Sequence, residues 1–170
     1  RNTKERANSP FNYLIKELTA LERAAGSLGR SFVIRNAVLY DKETEKVTPL
    51  LENFWKRFDL RNCSLIDTKG VIKSSAGEVA PDKAADKPFI RREYFRDALS
   101  GNVGFSLSLG TKYSERVYYV SFPVKDAKGA VAAIVLLSKI IPVAPVLQYR
   151  FFSILIVFFV CILTISFFIV

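Results

Sequence analysis

The sequence predicts an α+β domain followed by a C-terminal transmembrane helix, and three observations predict it. Apolar residues recur at steps of three and four through most of the first sixty positions, and from Leu60 they alternate. The last twenty residues, Phe151 to Val170, carry no charge at all. The first pattern is that of amphipathic helices and the second that of half-buried strands. The third fits a span, because about 20 apolar residues cover a hydrocarbon core of roughly 30 Å. All 41 charged side chains fall before residue 151, in a stretch of ordinary single-domain length. The expected organisation is a globular domain over 1–139, helical over 8–58 with a sheet core over 60–139. A juxtamembrane segment and membrane helix then occupy 140–170.

Asn8-Ser9-Pro10 suits a helix start, with Ser9 able to cap and Pro10 at the first helical position. Phe11, Leu14, Leu18, Leu21, Ala25, Leu28 and Phe32 then form a narrow stripe on one long amphipathic helix. Gly26 and Gly29 either weaken its later part or allow close packing. The stripe lies on its own domain or forms a seam with a second copy. After the polar break Asp41 to Lys46, Thr48-Pro49 opens a second helix. Val47, Leu50, Leu51, Phe54, Trp55 and Phe58 share one of its faces, so Trp55 is expected in the core.

Strands follow. Cys63 to Ile66 and Val71 to Ser74 flank Asp67-Thr68-Lys69-Gly70, and the same turn chemistry recurs at Asp126-Ala127-Lys128-Gly129. Asp and Gly at those offsets suit short hairpins, with Gly supplying positive φ. Between the hairpins lie a polar loop (Ala76 to Lys87), a short helix ending at Gly101, and a strand over Val103 to Leu109. A further strand runs from Arg116 to Val124, with Tyr118, Val120 and Phe122 opposite Tyr119 and Ser121. Ala130 to Leu137 forms the last strand. Two strands, a short helix and three strands make an antiparallel five-stranded sheet.

The chemistry is bounded by what is missing. With no His, the commonest general base and metal ligand are gone. Cys63 and Cys161 lie in different regions and form no Cys-x-x-Cys, so no disulfide framework, metal site or cofactor is expected. No Gly-rich phosphate loop and no nucleophile beside a base argue for an enzyme. The net charge of +9 divides into +3 over residues 1–60 and +6 over residues 61–150, without a basic run or interleaved aromatics. Nucleic acid is therefore not an expected partner. The opening RNTKERANSP has neither Met nor an apolar leader, and predicts a piece taken from just after an earlier membrane segment.

Four segments in order resemble the Cache family, the PAS-like extracytoplasmic sensor domains of bacterial receptors. They are SLIDTKGVIKSS, the helix Arg92-Glu93-Tyr94-Phe95-Arg96-Asp97-Ala98, the strand Val117 to Val124 (VYYVSFPV), and KDAKGAVAAIVLLSKI leading into the span. Gly110-Thr111 and the strand residues Tyr118 to Pro123 are especially similar to dicarboxylate sensor histidine kinases, although Glu93 stands where those have Pro. Many amino-acid-binding members carry an Asp on the last strand. The matching position here is Ser138, followed by Lys139, so an α-amino group has no counter-charge.

The resemblance implies a PAS-like single Cache fold in the bacterial inner membrane, with its globular domain extracytoplasmic. It implies a ligand pocket built from Arg92, Tyr94, Phe95, Thr111, Tyr119, Ser121 and Ser138. A planar guanidinium with hydroxyls from neighbouring strands suits a small carboxylate. Arg92 equally fits a solvated helix start, and Ser106 and Ser108 the polar face of a strand. Lys139 adds a second cation only if it, rather than Ser138, faces inward. The implied partners are a small-molecule ligand, the membrane, and a second copy through the N-terminal helix and the span. A sensor histidine kinase is the leading whole-protein reading, with a diguanylate cyclase or a chemoreceptor as alternatives. A membrane-anchored assembly domain without a ligand and a tail-anchored cytosolic domain are the rivals.

Overall fold

The computed structural model describes residues 10–78, 89–109, 115–142, 156 and 158. Helix α1 spans Pro10–Gly29, α2 Phe32–Tyr40 and α3 Val47–Arg57, and strands β1 (Asn62–Asp67) and β2 (Ile72–Gly77) form the first hairpin. The short helix α4, Glu93–Leu99, precedes β3 (Gly104–Leu109), β4 (Glu115–Lys125) and β5 (Val131–Pro142). The five strands form one antiparallel sheet in the order β2-β1-β5-β4-β3. The first and last strands of the chain order are thus neighbours, and β5 is central. Its residues Ala133 to Ser138 are all buried, as a strand covered on both faces requires.

One correction concerns the first helix. A single helix through Phe32 was expected, but the chain breaks after Gly29 and restarts at Ser31. The Ser31 hydroxyl accepts a hydrogen bond from the Ile34 N–H at 3.2 Å and caps α2. Phe32 therefore leaves the stripe and is 72% exposed. Helix α2, with buried Ile34, has no counterpart in the periodicity reading, because its nine residues span too few turns to show a stripe. The Asn8-Ser9 cap and the Phe11 side chain lie outside the described residues.

Gly26 and Gly29 serve close packing. A Cβ on Gly29 would come within 2.5 Å of the Phe122 ring. Leu21, Ala24, Ala25 and Leu28 of α1 join Val47 and Leu51 of α3 and Val120, Val124, Val135 and Leu137 of the sheet in one core. Trp55 packs against that core as expected. Both hairpins close alike. Asp67 Oδ1 accepts the N–H groups of Lys69 (2.9 Å) and Val71 (2.8 Å), and Asp126 Oδ1 those of Lys128 (2.8 Å) and Ala130 (2.9 Å). Gly70 and Gly129 have φ of 83° and 85°. Burial pushes the Asp67 carboxyl up, but the Val71 and Lys69 amides and the Lys73 ammonium outweigh it and hold it below the usual aspartate range.

The opposite face of the sheet carries a second core. Phe95, Tyr94 and Ala98 of α4 sit with Phe89 over Ile66, Val117, Tyr119, Ile134 and Leu136. The sheet is therefore sandwiched, with α1, α2 and α3 on one face and α4 on the other. Apart from Ile156 and Phe158, the expected span 151–170 lies outside the described residues. Among those described, no helix is long and apolar enough to cross a membrane.

Candidate functional site

On the α4 face, strand register aligns polar side chains into rows. Ser106, Tyr119, Ser138 and Asn62 pair successively across β3, β4, β5 and β1. The adjacent row runs Gly104, Ser121, Leu136, Ser64 and Ser75. Asn62, Ser64, Ser121 and Ser138 are buried at 4% exposure or less. Neither row contains an acidic side chain.

Helix α4 covers these rows. Tyr94 is buried and stacks on Tyr119, with ring centroids 5.5 Å apart and planes 6° from parallel. Phe95 is fully buried and packs against Phe89 at 6.0 Å, so its ring forms part of the core under α4. Arg92 is the N-cap residue of α4, with extended backbone and no side-chain capping bond. Its N–H donates to the Phe89 carbonyl at 2.9 Å, and its own carbonyl accepts from Phe95 and Arg96 at 3.1 Å each. That backbone is held on both sides. Arg92 Nε and the Tyr94 hydroxyl are shielded from solvent.

Ser121 has a defined task. Its hydroxyl lies 2.6 Å from the Tyr94 carbonyl and 3.3 Å from that of Gly104, and ties α4 and β3 to β4. Ser138 faces the α4 side between Tyr119 and Asn62, while its backbone carbonyl accepts from the Arg61 N–H at 2.8 Å. Lys139 points the other way, to a 2.8 Å ion pair with Glu17 of α1, so it adds no cation to this face. Thr111 lies outside the described residues. Arg92, Tyr94, Tyr119, Ser121 and Ser138 thus share one face.

Asn62 and Ser64 belong to the same polar set, although the sequence reading does not include them among the site residues. The Ser64 hydroxyl bonds the Asn62 side-chain oxygen at 2.5 Å, and the Asn62 amide donates to the Glu78 carbonyl at 2.7 Å. Their i, i+2 spacing marks a shared strand face, but only the β1–β5 register brings that face beside Ser138. Cys63, between them, points into the other core, where burial pushes its thiol up to about 12. It is chemically quiet.

No family model and no curated protein matches the chain. Solved structures do match. The sensor domain of the V. cholerae histidine kinase DctB superposes with a TM-score of 0.58 at 18% identity, over 74% of this chain and 50% of that one. The E. coli DcuS sensor domain gives 0.57 at 18% identity, over 79% and 94%. The Campylobacter jejuni chemoreceptor Tlp3 ligand-binding domain with L-valine gives 0.56 at 13% identity, over 74% and 53%. The fold is that of a Cache-type sensor domain. The chain spans about half the length of the DctB and Tlp3 domains and corresponds to nearly the whole DcuS domain.

Proposed function

We propose that the chain is the extracytoplasmic ligand-sensing domain of a bacterial transmembrane receptor, a sensor histidine kinase in the leading reading. It takes a small carboxylate between α4 and the sheet, in a pocket formed by Arg92, Tyr94, Phe95, Thr111, Tyr119, Ser121 and Ser138. The observation that carries this reading is Arg92 at the N-cap of α4, the helix that covers two polar rows of the sheet without an acidic side chain. An arginine at a helix N-cap is locally unfavourable, since that position prefers Ser, Thr, Asn or Asp and the helix dipole repels a cation. Such a local violation is expected where function requires it. A carboxylate would use the guanidinium fork, with tyrosine hydroxyls and the Ser138 hydroxyl as further donors. Ligand-induced displacement of β5 would travel toward the C-terminal span.

The test is a thermal-shift screen of mono- and dicarboxylates against the chain in detergent. A stabilising carboxylate is expected, and Arg92→Ala should weaken it roughly tenfold to a hundredfold, the loss of charge-assisted hydrogen bonds. Stabilisation unaffected by Arg92→Ala, or absent for every carboxylate, would sink the proposal. One observation favours assembly as a second reading. Tyr13 and Ile15 of α1 and Phe105 and Leu107 of the edge strand β3 are 46–54% exposed, an apolar surface that a second copy would cover. Sedimentation decides it, a concentration-independent monomer counting against assembly.

A further inference from the structure

A cleft of about 360 Å³ lies beside the β4–β5 turn, between the C-terminal end of α1 and Gly101 just past α4. Arg30, Arg35 and Lys125 line it, over a floor that includes Val103, Phe122 and Pro123. Among the described residues none of these three cations forms an ion pair, whereas Lys46, Arg61, Lys73 and Lys139 each do. The one acidic residue of the lining, Asp126, has its Oδ1 committed to the turn amides of Lys128 and Ala130.

Arg30 is also placed in advance. Its guanidinium lies over the Phe122 ring, 5.3 Å from the centroid. Two glycines make room for that arrangement. A Cβ on Gly26 would stand 2.9 Å from Arg30 Nη2, and one on Gly29 would strike the same phenylalanine. A stacked arginine loses less conformational freedom on binding than one swinging in solvent. Three like charges around one concavity raise its potential and attract a counter-ion.

We infer that this cleft is a binding site for a small phosphate-bearing anion. A phosphate ester presents three acceptor oxygens and close to two charges in one compact group, enough to engage two guanidinium forks and an ammonium together. A carboxylate presents two oxygens and one charge. The site is distinct from the pocket under α4, because it uses none of that pocket's residues.

Calorimetric titration of the chain in detergent with pyrophosphate tests the inference, first at low salt. Saturable binding is expected that weakens as salt rises. Arg30→Gln and Arg35→Gln should each weaken it about tenfold, and Lys125→Glu should remove it. Arg92→Ala should leave it unchanged. All three substituted side chains are exposed, so the variants should keep the parent melting profile. The two arginine variants carry the test alone if Lys125→Glu fails to fold. Absence of saturable binding, binding indifferent to the arginine substitutions, or loss on Arg92→Ala would overturn the inference. Equal affinity for tricarballylate would overturn the phosphate assignment.

Discussion

Ser121 shows how one side chain can decide the geometry around it. Its hydroxyl is fully buried between α4 and β3, and lies 2.6 Å from a carbonyl whose position sets where the Tyr94 ring begins. Ser121→Ala removes the donor and leaves that carbonyl buried without it. The expected cost is about 1–3 kcal/mol, read as a lower midpoint with an unchanged slope in urea unfolding. If Ser121 were a ligand contact only, stability would not move. Glycine has a comparable role at position 104, where the Tyr94 backbone and the Ser121 hydroxyl leave no room for a Cβ.

At the scale of elements, the contact between α1 and β5 is the joint that links the two ends of the domain. Glu17 and Lys139 are 122 residues apart and meet at 2.8 Å, with side chains only 24% and 20% exposed. Helix α1 also lies across β4, where its glycines admit Phe122. A double-mutant cycle with Glu17→Gln and Lys139→Met should give a coupling of about 1 kcal/mol, at the upper end for partly exposed pairs. A coupling indistinguishable from zero would mean that the strand and the helix are joined by packing alone. The cycle belongs at this scale because the pair couples two elements rather than stabilising either.

For the whole molecule, the proposed signalling route requires the domain to be tethered where β5 ends. The twenty uncharged residues from Phe151 onward supply the hydrophobic length. The chain should therefore stay with the membrane fraction through alkaline extraction, and a version ending at Pro142 should be released. Release of the full chain by the same treatment would remove the membrane anchor from the reading.

Much of the fold was legible in the sequence because it rests on local rules. Period and turn chemistry found α1, α3, both Asp-x-Lys-Gly hairpins and the alternation that puts Tyr119 and Ser121 on one face. The break at Gly29–Ser31 was missed because a cap and a stripe overlap there, and the helical stripe could be continued through Phe32 on paper. The site was legible as a set of residue types, not as an arrangement. Alternation required Ser138 and Lys139 to face opposite ways, yet it could not say which faced α4. Strand register decided that, along with the place of Asn62 beside Ser138. The sequence by itself determined the helices and strands other than α2, since helix and strand formation depend on neighbours within a few residues. Only the tertiary structure decided the polar rows, the Glu17–Lys139 joint and the basic cleft. Each of these joins residues far apart in the chain, and no local pattern encodes such distances.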